Sequence, residues 1–147
     1  MKEFIEWSDA LSVGVHEIDD QHKELLKMLN ELNKAIEGGW GKDARKEVID
    51  KLVEYTRVHF TTEESVMSIS NYPDIDAHKK QHEILIDAVH DYIKKYEHDP
   101  HSSSYDLLFF LKRWLTEHII KSDKRFGEFL IKSKNAKKSW FRRLFGL

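Results

Sequence analysis

The sequence predicts an all-α protein: an antiparallel up-down-up-down four-helix bundle preceded by an N-terminal extended arm. Three observations carry that expectation. Glycine and proline are scarce, with 6 and 2 copies in 147 residues, which disfavours a turn-rich sheet fold. Apolar residues recur at helical spacing in four separate stretches. The stretches are joined by short connections rich in turn residues, and short connections make sequential helices antiparallel neighbours.

Residues 1 to about 18 read as the arm, with Trp7, Val13, Val15 and Ile18 as its anchors. Asp19 is placed to cap the first helix, whose stripe runs Leu25, Leu29, Leu32, Ile36 until Gly38-Gly39-Trp40-Gly41 ends it. The second stripe is Val48, Ile49, Leu52, Val53, Thr56, Phe60 and fades near Met67. Asn71-Tyr72-Pro73-Asp74 reads as a turn in which Asp74 caps the next helix. Leu85, Ile86, Val89, Ile93 and Tyr96 form the third stripe, stopped by Asp99-Pro100. Ser102-Ser103-Ser104 can cap the fourth, which carries Leu107, Leu108, Leu111, Trp114 and Leu115. Two units are expected: a bundle over 1–131 and a basic-aromatic tail over 132–147.

Composition narrows the chemistry. The chain has no cysteine, which excludes disulfides, thiolate zinc sites and iron–sulfur clusters. No apolar run approaches the roughly 20 residues of a membrane span, and the first residues lack a secretory pattern, so a cytoplasmic protein is expected. Six Lys or Arg and no acid follow from Lys132 onward, so the formal charge of −2 leaves −8 on the residues before it. A body this acidic argues against nucleic acid as a partner. The tail, with Trp140, Phe141, Leu144, Phe145 and Leu147 between Lys and Arg, suits an anionic membrane surface or an acidic protein partner.

Nine histidines are the unusual feature, and their phase decides their meaning. His22 lies three residues before Leu25, on the apolar face of the first helix. His59 and Glu63, four apart, continue the line of Leu52 and Thr56. His78 and His82, also four apart, lead into Leu85 and Val89. His118 follows Leu111 and Trp114. Each helix therefore points a metal-competent side chain inward. A lone inward histidine is more often a satisfied core residue than a ligand. Five of them with an inward glutamate would be a heavily unsatisfied core without a cation. His16, His90, His98 and His101 fall in the arm, near the end of the third helix or in the loop after it, and read as solvated. Trp7 and Trp114 read as core packing.

The inventory exceeds the four ligands of a single zinc ion. His78-Lys79-Lys80-Gln81-His82 has the two-histidine spacing of a zinc protease but Lys where its general-base Glu would stand. The carboxylate-rich di-iron proteins use Glu-x-x-His pairs, and this sequence contains none.

The strings Ile18-Asp19-Asp20-Gln21-His22-Lys23, His59-Phe60-Thr61-Thr62-Glu63-Glu64, Tyr72-Pro73 followed by His78-x-x-x-His82, and Trp114-Leu115-x-x-His118-Ile119-x-x-x-Asp123 resemble the motifs of the haemerythrin family. The resemblance covers roughly residues 5 to 130. It implies two iron ions per chain with an oxo or hydroxo bridge, His78, His82 and His118 on one iron and His22 and His59 on the other. Glu63 and Asp123 would bridge both. It further implies an oxygen-binding protein rather than an enzyme, with dioxygen taken at the iron that has one imidazole fewer. Leu115 and Ile119, with Leu25 and Phe60, are the expected walls of the oxygen pocket. A di-iron oxidase, a peroxidase, a nitric oxide-handling enzyme and an oxygen or redox sensor are the alternatives on the same centre.

Asp123 does not come from the periodicity. Residues five apart on a regular helix point about 140° apart, so His118 and Asp123 could not share one face. The sequence therefore predicts a π-bulge between them, since inserting one residue restores the shared face.

Overall fold

The computed structural model describes residues 3–98 and 104–145, with side chains to position 134. The expected stops at Asp99-Pro100, the caps at Ser102 and Ser103, His101 and the side chains of the tail from position 135 lie outside the described residues. Four helical rods form the bundle: α1 (His16–Glu37), α2 (Lys42–Ile69), α3 (Ile75–His98) and a composite fourth rod. That fourth rod is α4 (Ser104–His118), a π-helical turn (Ile119–Asp123) and α5 (Lys124–Phe145) in unbroken succession. Each rod packs on its neighbours in sequence, and the fourth closes the ring against α1. The architecture is the expected four-helix bundle. Among the described residues no helix is long and apolar enough to cross a membrane.

The helix ends follow from local chemistry. α1 ends in a Schellman motif: Trp40 N–H donates to the Ala35 carbonyl at 3.0 Å and Gly39 N–H to that of Ile36 at 3.2 Å. The motif needs a left-handed residue, and Gly39 supplies it with φ 66. α2 ends the same way with Asn71 at φ 56, Tyr72 N–H reaching the Met67 carbonyl at 2.9 Å. Tyr72 and Met67 are both buried, the apolar contact that accompanies this motif. α3 starts after Asp74, whose carbonyl accepts from His78 N–H at 3.0 Å.

The start of α1 differs from expectation. The helix begins at His16, with Val15 rather than Asp19 at the cap position. Asp19 sits one turn inside, where its carboxylate accepts from Val13 N–H at 2.8 Å and the Ser12 hydroxyl at 2.5 Å. It ties down the arm instead of starting the helix. The arm is accordingly shorter than residue 18, and Asp9–Leu11 form a 3-10 turn. Val13 and Ile18 are buried as expected, Trp7 and Val15 are half-buried, and Ile5 and Leu11 join the core unforeseen. Asn30 holds the arm with two bonds to the backbone of Ile5, each 2.9 Å.

The π turn between His118 and Asp123 is present as the sequence predicts. Ile119 and Asp123 face inward across it, and Phe126 continues the buried line at 0% exposure. α5 then runs through position 131 without a backbone break, so the expected boundary there has no counterpart in the path of the helix.

Candidate metal centre

Seven side chains from all four rods converge in the bundle core, none more than 6% exposed: His22, His59, Glu63, His78, His82, His118 and Asp123. These are the seven that the haemerythrin-like motifs single out. Their donor atoms form two groups, each within 4.8 Å throughout: Glu63, His78, His82, His118 and Asp123, and His22, His59, Glu63 and Asp123. Both carboxylates belong to both groups.

The two oxygens of each carboxylate divide the histidines between them. Glu63 Oε1 lies 2.7 Å from His78 Nε2 and 3.4 Å from His82 Nε2, while Oε2 lies 3.3 Å from His59 Nε2. Asp123 Oδ1 lies 2.9 Å from His78 Nε2 and 3.1 Å from His118 Nε2, and Oδ2 lies 3.0 Å from His22 Nε2. His82 Nε2 and His118 Nε2 approach to 3.1 Å. Only the π turn makes this possible, because it returns Asp123 to the face that carries His118.

The electrostatics show how strongly the donors depend on each other. Burial and the Asp123 charge push the Glu63 carboxyl up, but the imidazoles of His59, His78 and His82 outweigh them and hold it at about 2. Burial likewise pushes Asp123 up, and the imidazoles of His118, His22 and His78 hold it well below the usual carboxylate range. For His78, burial is overcome by the carboxylates of Asp123 and Glu63, which raise it to about 9. Burial dominates at His118 and lowers it.

Several donor atoms remain without a proper partner. Both ring nitrogens of His22, Glu63 Oε2 and Asp123 Oδ1 are buried and make no hydrogen bond of acceptable geometry, despite close approaches. Unpaired buried polar atoms each cost about 1–3 kcal/mol. Lone pairs of imidazole and carboxylate facing a common point are favourable when a cation sits between them. The donor set therefore fits a metal pair.

Three outer hydrogen bonds orient the rings. His59 Nδ1 meets Gln21 Oε1 at 2.5 Å, His82 Nδ1 meets Glu64 Oε2 at 2.9 Å, and His118 Nδ1 meets Gln81 Oε1 at 3.0 Å. A proton on Nδ1 leaves Nε2 free to face the centre. Sequence reasoning gave these three acceptors no role; their only signal was that each adjoins a candidate ligand. Phe60 stacks on the His82 ring at 3.7 Å, and Trp114 on His118 at 4.4 Å, so Trp114 belongs to the centre as well as to the packing. Leu25, Leu115 and Ile119 are buried in the surrounding core. Of the other histidines, His16 pairs with Asp20 at the surface, His90 meets Arg57, and His98 is exposed.

A family model described as "Hemerythrin HHE cation binding domain" matches residues 13–130. A bacteriohemerythrin of Stenotrophomonas maltophilia is 37% identical over 122 residues, 83% of this chain and 78% of that protein. A bacteriohemerythrin of Methylococcus capsulatus is 35% identical, over 82% of this chain and 92% of its own length. The crystal structure of a wild-type hemerythrin superposes with a TM-score of 0.79 at 31% identity, covering 86% of this chain and 98% of that one. A single-leucine mutant of a hemerythrin superposes with a TM-score of 0.80 over 88% of this chain and 98% of its own. With the family model matched over residues 13–130 and relatives 35–37% identical over more than four fifths of its length, this chain belongs to the haemerythrin family.

Proposed function

We propose that this protein binds dioxygen reversibly at a pair of iron ions, and that it is a binding protein rather than an enzyme. The observation that carries the reading is the division of the histidines by the carboxylate oxygens. Oε1 of Glu63 and Oδ1 of Asp123 face His78, His82 and His118, while Oε2 and Oδ2 face His22 and His59. That is the donor arrangement of two ions sharing two carboxylates. Imidazole with bridging carboxylate suits iron. In this reading His78, His82 and His118 would hold one iron, His22 and His59 the other, and Glu63 and Asp123 would serve both. Bound there, the iron pair would supply reversible one-electron chemistry at each ion, which is what dioxygen binding requires.

The chain's own residues set the outcome. The group with two histidines contributes one donor fewer, which leaves room there for an external ligand. Gln21, Glu64 and Gln81 hold three rings in the tautomer that turns Nε2 inward. Leu25, Phe60, Leu115 and Ile119 would wall the oxygen pocket; all are buried and apolar, so they exclude water and offer no proton. A proton donor there would promote loss of reduced oxygen and leave the irons oxidised.

Elemental analysis of protein purified under iron-replete conditions is expected to give two irons per chain. The dithionite-reduced protein should take up one dioxygen per pair in air and return it intact under vacuum, with reversible optical spectra. One metal per chain, or zinc in preference to iron, would overturn the centre. Catalytic consumption of dioxygen with a reductant would replace the binding reading with a di-iron oxidase.

A further inference from the structure

The three outer acceptors do unequal work. Gln21 and Glu64 each hold one ring. Gln81 Oε1 accepts from two places on the fourth rod, Nδ1–H of His118 at 3.0 Å and the Ser122 hydroxyl at 2.6 Å. His118 is the last residue of α4, and Ser122 lies inside the π turn, directly before Asp123. One amide oxygen on α3 thus spans the helix defect.

A π turn gives up regular i to i−4 bonding and persists where its surroundings over-determine it. Relaxing to a regular helix would move the register by one residue, about 100° of rotation. Asp123 would then swing away from His22, His78 and His118, and Ser122 would leave Gln81. The bond at His118 Nδ1 meanwhile decides which nitrogen carries the proton, and so whether Nε2 faces the centre with a lone pair.

We infer that Gln81 is a positioning residue whose single amide oxygen locks the π turn and the His118 tautomer to each other, so that His118 and Asp123 are set as a pair before metal arrives. The N-terminal arm secures the same stretch from outside, where Lys124 Nζ donates to the Ala10 carbonyl at 3.3 Å. Gln81 is the clamp on the inner side. It and Ser122 are only half-buried, so substituting either leaves the apolar core intact.

The inference rests on the metal-centre reading for its purpose but is testable without metal. In metal-free full-length Gln81→Leu, the amides of 119–124 should exchange with solvent roughly 10–100-fold faster than in wild type, the equivalent of the two lost hydrogen bonds. Long-range nitrogen-15 NMR should show His118 populating the Nε2–H tautomer. Ser122→Ala should speed exchange while leaving the tautomer in place. Gln81→Glu keeps the acceptor oxygen and should restore both. In iron titrations against a competing chelator, Gln81→Leu should bind roughly 10–100-fold more weakly than wild type, the usual effect of removing a ligand's outer partner, and Gln81→Glu should not.

Wild-type exchange rates at 119–124 in Gln81→Leu would overturn the clamp. So would weakened iron binding with unchanged exchange, because Gln81 would then act through His118 alone. Wild-type protein that takes up no iron pair would instead overturn the metal reading, with the exchange and tautomer results still deciding the clamp.

Discussion

Gly127→Ala is expected to destabilise the protein, although alanine is the better helix former. Gly127 is buried on α5, one turn after Asp123, where the N-terminal arm crosses. A Cβ there would collide with the Val13 carbonyl oxygen and lie 3.0 Å from the Val13 carbonyl carbon and 3.1 Å from its Cβ. The obstacle is backbone, so no rotamer change relieves it. Nor can the arm step aside freely, since Val13 N–H is bonded to Asp19 and Val13 and Leu11 are buried at 3% and 7% exposure. Removing a glycine from a helix interior gains about 1 kcal/mol. Overpacking against a fixed neighbour costs about 1–3 kcal/mol, and releasing the arm would uncover two apolar side chains at about 1.5–3 kcal/mol each. The cheaper route leaves a net loss of about 1 kcal/mol, or roughly 3 °C in Tm for a chain of this size. Urea unfolding of the metal-free protein measures it without the added stability of a bound ion. A Gly127→Ala protein as stable as wild type would refute the reasoning, because the arm would then not be packed where the contact places it.

The stability of the metal-free protein should depend on pH from both sides. Glu63, held at about 2 against an ordinary 4.5, stabilises the fold above pH 4.5 and loses that contribution as pH falls toward 2. His78, raised from 6.5 to about 9, stabilises below pH 6.5 and loses its contribution as pH rises through 9. Both shifts arise in the same buried cluster, Glu63 among His59, His78 and His82, and His78 between Asp123 and Glu63, so urea midpoints should fall on both flanks of a shared plateau; a flat alkaline flank would contradict this. Leu115→Glu, one turn before His118, should hasten oxidation of the oxygenated protein and cost a few kcal/mol of stability. A folded variant with an unchanged oxygenated lifetime would remove Leu115 from the pocket wall. For the tail we propose anionic surfaces as the partner: deleting 137–147 should abolish binding to anionic vesicles and leave iron content unchanged. Full-length protein that ignores such vesicles at low salt would rule the membrane out.

The sequence by itself determined the helical class, the four stripes and six of the seven residues of the candidate centre, because helical periodicity is a local property. His22, His59, Glu63, His78, His82 and His118 each fall in phase with leucines or other apolar residues a turn or two away. A buried charge at that phase has few interpretations. Asp123 was legible only through the haemerythrin-like motif, and its misfit with the helical repeat was itself the sign of the π turn. The sequence could not locate the start of α1, since Asp19 suits a cap as well as it suits the arm it ties down. Tertiary structure alone decided that choice, along with the burial of Ile5 and Leu11 and the contact of the Val13 backbone with Gly127. It also decided which carboxylate oxygen faces which histidine and that Gln81 joins His118 to Ser122. These are relations between segments up to more than a hundred residues apart, and their distances are set by how the rods pack. No repeat along the chain encodes them.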